Sequence, residues 1–112
     1  VESLDKLPDP GPFDFAMTVS VLQHLTDERT KGVCAEMKRL VPKGHVLIIE
    51  KTEAISITEN TTDESDFISR ARSVEIYSEY MAPYKLVQTE PRLVEPTYFN
   101  PRPGTCMLFQ AP

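Results

Sequence analysis

Tryptophan is absent from the 112 residues, and cysteine, histidine and glycine are scarce, at two, two and four copies. Two cysteines cannot supply the disulfide framework of a small secreted domain. Cys34 and Cys106 have apolar sequence neighbours, so both are expected to be buried, reduced thiols. His24 and His45 stand at spacings unrelated to the cysteines, so no metal site is expected. The glycines, at 11, 32, 44 and 104, nowhere cluster into a loop that lets backbone approach a nucleotide. Long apolar runs are missing too: none approaches the roughly 20 residues that span a bilayer, and no membrane partner is expected. Nor is there an excess of positive charge. Twelve basic side chains, scattered along the chain, face seventeen acidic ones for a net charge of −5, which argues against nucleic acid as a direct partner. Residues 1–5 show no basic stretch leading into an apolar one, so a cytoplasmic location is the expectation.

What is present fits one domain over residues 1–112, since a chain of this length holds one small core. Pro8, Pro10, Gly11 and Pro12 predict an irregular lead-in to a strand over Phe13–Val19, short, mostly apolar and suited to burial on both faces. Thr26 is a candidate N-cap, followed by Asp27 and Glu28 where negative charge complements the helix dipole. Val33, Met37, Leu40 and Val41 then recur at helical spacing, predicting a helix over 27–41 that Pro42 and Gly44 end. His45–Glu50 is a β-branched apolar run and reads as the second strand. Strand, helix, strand makes a βαβ unit with parallel neighbouring strands.

The stretch from Thr52 to Ser69 is polar and reads as a solvated loop, with a substrate-covering lid as the alternative. Ser73 offers an N-cap for a short helix over Val74–Met81, which Pro83 stops. Residues 84–90 and 105–110 read as strands, joined by a connection that Pro91, Pro96, Pro101 and Pro103 keep from pairing; an antiparallel pair is expected.

Three stretches, in this order, resemble the second half of class I S-adenosylmethionine-dependent methyltransferases. They are Phe13-Asp14-Phe15-Ala16; Val21-Leu22-Gln23-His24-Leu25; and Arg39-Leu40-Val41-Pro42-Lys43-Gly44 running into Leu47-Ile48-Ile49-Glu50. The family shows a Phe-Asp strand, a V-L-x-H-L turn, a helix ending R-x-L-x-P-x-G and a strand carrying L-x-I-x-E. The resemblance continues through Arg72-Ser73 and Lys85-Leu86-Val87. It implies an α/β fold: a partial Rossmann-like methyltransferase fold, with a parallel βαβ unit and an antiparallel carboxyl-terminal strand pair. These would be the fourth to seventh strands of a seven-stranded sheet, the last antiparallel between its neighbours. The absent part would hold the glycine-rich turn and the acidic residue that grip the donor.

Ligands of open α/β sheets lie beyond the carboxyl ends of the strands, which makes Thr18, Val19 and Ser20 candidate cofactor contacts. By resemblance His24 joins them, a backbone-bonded turn histidine being the alternative. Glu50 is a candidate catalytic base, against a solvated strand-end carboxylate. Tyr77, Tyr80 and Tyr84 could border an acceptor or simply pack; Arg70 and Arg72 read as a solvated pair or as contacts to an anionic acceptor. The function implied is a methyltransferase fragment that does not bind S-adenosylmethionine by itself, or else a non-enzymatic oligomeric module on the same fold. An interior strand without its neighbour leaves backbone groups unpaired, so self-association through the Phe13 to Val19 edge, as a homodimer, is expected.

Overall fold

The computed structural model describes residues 12–52, 70–92 and 104–112. The expected lead-in before Pro12, the polar loop or lid over 53–69 and most of the proline-rich connection lie outside the described residues. Six elements carry the fold: β1 (Phe15–Val19), α1 (Asp27–Leu40), β2 (His45–Lys51), α2 (Val74–Met81), β3 (Lys85–Pro91) and β4 (Gly104–Gln110). The turn expected by resemblance at Val21–Leu25 links β1 to α1 and takes the form of a single 3₁₀ turn at Leu22–His24.

Each boundary has a local cause. The Thr26 hydroxyl accepts the amide of Arg29, and the Ser73 hydroxyl accepts that of Ile76, satisfying amides that helix starts leave unpaired. At its far end each helix is capped by a side chain from outside it, α2 by one on α1 and α1 by one just beyond α2. The Lys38 ammonium donates to the carbonyls of Tyr80 and Ala82 at 2.9 and 2.8 Å. The Tyr84 hydroxyl in turn sits 2.8 and 2.6 Å from the carbonyls of Lys38 and Val41, sharing its proton between them. Pro91 closes β3, an edge strand among the described residues, where a missing amide is tolerated.

The sheet runs β1-β2-β4-β3. β1 and β2 are parallel, with Phe15 opposite His45 and Val19 opposite Ile49, so the βαβ unit stands as read. β4 lies antiparallel between β2 and β3, with Ile48 opposite Met107 and Thr89 opposite Met107 on the other side. The carboxyl-terminal pair is thus antiparallel and its last strand is the inserted one. A register shift between Leu86 and Gln88 leaves Val87 bulged and exposed.

Strand alternation sorts the side chains onto two unlike faces. Val46, Ile48, Glu50, Met107 and Phe109 are buried beneath α1 and α2, which contribute Val33, Cys34, Met37, Leu40, Tyr77 and Met81 to one core. Burial of each large member is worth about 1.5–3 kcal/mol. Burial also pushes the Cys34 thiol up to about 12, so it stays protonated. The opposite face carries Phe15, Met17 and Val19, which are 49%, 51% and 43% exposed, beside half-buried Leu47, Ile49, Cys106 and Leu108. Among the described residues nothing covers it. Cys106 therefore departs from the expected burial.

Gly44 is fixed by contact rather than by backbone conformation. Its position passes so close to Asp14 that a Cβ would collide with that residue's carbonyl, where the entry to β1 pairs with the start of β2. Gly44→Ala is expected to lower the unfolding free energy by about 1–3 kcal/mol, read as a reduced urea midpoint with an unchanged m-value; a midpoint equal to wild type would contradict this packing.

Candidate functional site

At the carboxyl end of β1 the chain must leave the sheet and reach the start of α1 within seven residues, Ser20 to Thr26. Ser20 makes the bend with a φ of 55°, unusual for a residue with a side chain, while its amide still bonds the Ile49 carbonyl at 2.9 Å. The next residues form the 3₁₀ turn, whose backbone groups find few partners within so short an element. Two charged side chains from distant parts of the chain supply them.

Glu50, at the end of β2, takes the amides. Its Oε2 accepts from Val21 and its Oε1 from Gln23, both at 3.1 Å, and the residue is fully buried. Arg72, just before α2, takes the carbonyls. Its Nη1 donates to Leu22 at 2.8 Å, its Nη2 to Leu25 at 2.7 Å, and its Nε to the Asp27 carboxylate at 2.9 Å, with the guanidinium 1% exposed. The Arg70 amide adds a bond to the Gln23 carbonyl at 2.7 Å, and the Thr30 hydroxyl joins Arg72 and the Leu25 amide on the carbonyl of Leu22. Gln23 is buried as well, accepting from the Lys51 amide through its side chain. Tyr77 lies against Arg72, and burial pushes its phenol well above the usual range, keeping it neutral.

The candidate residues therefore meet at one rim. Thr18 and Val19 end β1 and Ser20 follows it, and exposed His24 stands on the turn, its ring Nε2 3.4 Å from the side-chain Nε2 of Gln23. Thr18 is 7% exposed and its hydroxyl has no hydrogen-bond partner among the described residues. Val19 lies on the open face.

Glu50 is not the solvated carboxylate the alternative reading described. Both its oxygens are committed to backbone amides, which makes it a holder of the turn rather than a group open to an acceptor's proton. Arg70 and Arg72, read as a solvated pair, are both buried because their segment crosses the turn. Tyr77 belongs to the core and lies against Arg72, Tyr80 meets Tyr77 edge-on, and Tyr84 caps α1. Gln23 and Thr30 were missed. Their signal would have been polar residues in line with apolar ones, which a short turn hides.

Along the outer edge of β1 a groove of about 370 Å³ opens between the strand and α1, lined by Phe15, Thr18, Val21, Val33, Met37 and Leu40 among others. Because the Asp14 carbonyl and the Ser20 amide point to β2, alternation turns those of Phe15, Met17 and Val19 outward. They have no strand partner among the described residues.

Solved structures that share this arrangement include methyltransferases. A SAM-dependent methyltransferase from Methanosarcina mazei superposes with a TM-score of 0.68 at 14% identity, over 90% of this chain and 60% of its own. A Burkholderia thailandensis 1,6-didemethyltoxoflavin-N1-methyltransferase, solved with S-adenosylhomocysteine, gives 0.69 at 15% over 95% and 47%. An O-methyltransferase family 2 protein from Planctomyces limnophilus gives 0.62 at 18% over 93% and 32%. The chain has a class I methyltransferase-like fold and spans between a third and three fifths of these proteins. No protein-family profile matches the sequence, and no curated protein matches it significantly.

Replacing the Glu50 carboxylate tests its assignment to the turn. Glu50→Gln sets an amide NH₂ against one of two backbone donors and is expected to destabilise the fold by about 2–3 kcal/mol, measured by urea unfolding. Equal stability would mean that the turn does not need the carboxylate.

Proposed function

We propose that this chain is the carboxyl-terminal portion of an S-adenosylmethionine-dependent methyltransferase and works when an amino-terminal α/β segment completes its sheet. One observation carries the reading: the strand whose carboxyl end bears the candidate donor contacts has both an outward-facing backbone edge and an open apolar face. A parallel sheet is normally covered on both faces, so this surface calls for a strand and a helical layer.

The residues present fit one side of a donor. Thr18 offers a buried hydroxyl with no hydrogen-bond partner among the described residues, His24 an exposed ring, and Val19, on the other face of the strand, an apolar side chain. The glycine-rich turn and the acid that would grip the rest are not in the sequence, so the isolated chain holds the donor poorly. The donor, when bound, supplies an electrophilic methyl group on a sulfonium. The chain's own share is alignment: Glu50 and Arg72 keep the turn in place, and Ser20 and His24 border the rim together with the strand end, where Thr18 and Val19 face opposite sides of the sheet. The acceptor is set by elements outside this rim.

The test is calorimetry with S-adenosylhomocysteine on the 112-residue chain and on the product of its coding sequence extended upstream. Binding at least about 100-fold tighter, ~2.7 kcal/mol, is expected for the extended protein. Cys106 on the open face should also become resistant to a thiol reagent there, while reacting readily in the 112-residue chain. An extended protein that binds no donor and leaves Cys106 reactive would overturn the reading.

A second reading, a non-enzymatic oligomeric module, draws on the β1 edge alone. The outward groups of Phe15, Met17 and Val19 are symmetric about Met17, so two copies can pair antiparallel about a twofold axis there. Sedimentation would then show a dimer at micromolar concentration that Met17→Pro converts to monomer, with Cys106 still reactive. A wild-type monomer removes it.

A further inference from the structure

Arg72 touches no residue named as a donor contact, yet it holds the turn that carries them. Three consecutive features of one segment fasten onto the turn: the Arg70 amide on the Gln23 carbonyl, and the two terminal nitrogens of Arg72 on the carbonyls of Leu22 and Leu25. The third guanidinium nitrogen, Nε, reaches Asp27 at the start of α1. A planar fork is suited to this, because its donors are fixed relative to one another and set three acceptors in one geometry. A lysine reaches one or two of them without fixing their arrangement. A plain structural cation would sit at the surface or neutralise Glu50 directly. Here the carboxylate and the guanidinium instead divide the turn's amides and carbonyls between them.

We propose that Arg72 is a positioning residue for the donor-facing turn: its guanidinium fixes the backbone from Leu22 to Leu25, and thereby the placement of Ser20 and His24, without contacting the donor. The functional half of this inference rests on the methyltransferase reading above; the structural half does not. The segment preceding α2 thus acts as a strap across the rim, and ordering of the rim depends on residues far from it in sequence.

Amide hydrogen exchange on the 112-residue chain tests the strap directly. In Arg72→Ala the Val21 and Gln23 amides are expected to exchange roughly ten- to hundredfold faster, while the central-strand amides of Val46 and Ile48 keep their wild-type rates. Guanidinium ion, at concentrations far below those that unfold proteins, should restore slow exchange at the turn; sodium chloride at the same concentration should not. Arg72→Lys keeps the charge and loses the fork, so it should show the same local acceleration in milder form, and it replaces the alanine variant if that fails to fold. Equal acceleration at Val46 and Ile48, no acceleration at the turn, or no response to guanidinium would each overturn the proposal. In the extended protein, Arg72→Lys is expected to weaken S-adenosylhomocysteine binding by a similar factor. Failure of the wild-type extended protein to bind would count against the methyltransferase reading and leave the exchange result standing.

Discussion

One short turn, served by two buried charges, organises this molecule. Between β1 and α1 the backbone leaves the sheet through a residue with positive φ and a single 3₁₀ turn, too little regular structure to satisfy its own polar groups. Glu50 and Arg72 resolve the problem by accepting from its amides and donating to its carbonyls. Removing either charge from water costs several kcal/mol, which the bonds to the turn offset. The arrangement joins the end of β2, the start of α1 and the approach to α2 at one point.

Around that point the two sides of the sheet have opposite characters. The side under α1 and α2 is a finished core, with Lys38 capping the end of α2 and Tyr84, just beyond α2, capping that of α1. On the other side, apolar side chains of β1, β2 and β4 stand partly exposed, in line with an outward backbone edge. Both follow from one property: strands that are apolar at successive positions, as Phe15 to Met17 and Val46 to Ile49 are, present apolar side chains to both faces. The methyltransferases that share the arrangement are longer chains, of which this one spans 60%, 47% and 32%.

Much of this was legible from the residues. The caps at Thr26 and Ser73, the stop at Pro42 and Gly44, and the β-branched run after it are short-range signals, and they placed the βαβ unit correctly. Insertion of β4 between β2 and β3 came from the resemblance alone, since alternation cannot say which strand lies between which. The functions of Glu50 and Arg72 were not legible. Their partners are backbone groups some 27 to 50 residues away, and a carboxylate ending a strand looks the same in sequence whether it faces water or an amide. The turn at Val21–Leu25 came from the resemblance, but its 3₁₀ form did not, because three residues are too few to show a period.

Scalar couplings across hydrogen bonds in the isotope-labelled chain test the centre of this account most directly. Couplings from the Val21 and Gln23 amide nitrogens to the Glu50 side-chain carboxyl carbon are predicted, because each bond would transmit one. Amides that couple to no carboxyl carbon, or to that of another residue, would mean that the turn is held in some other way and that the rim built upon it is not the one described.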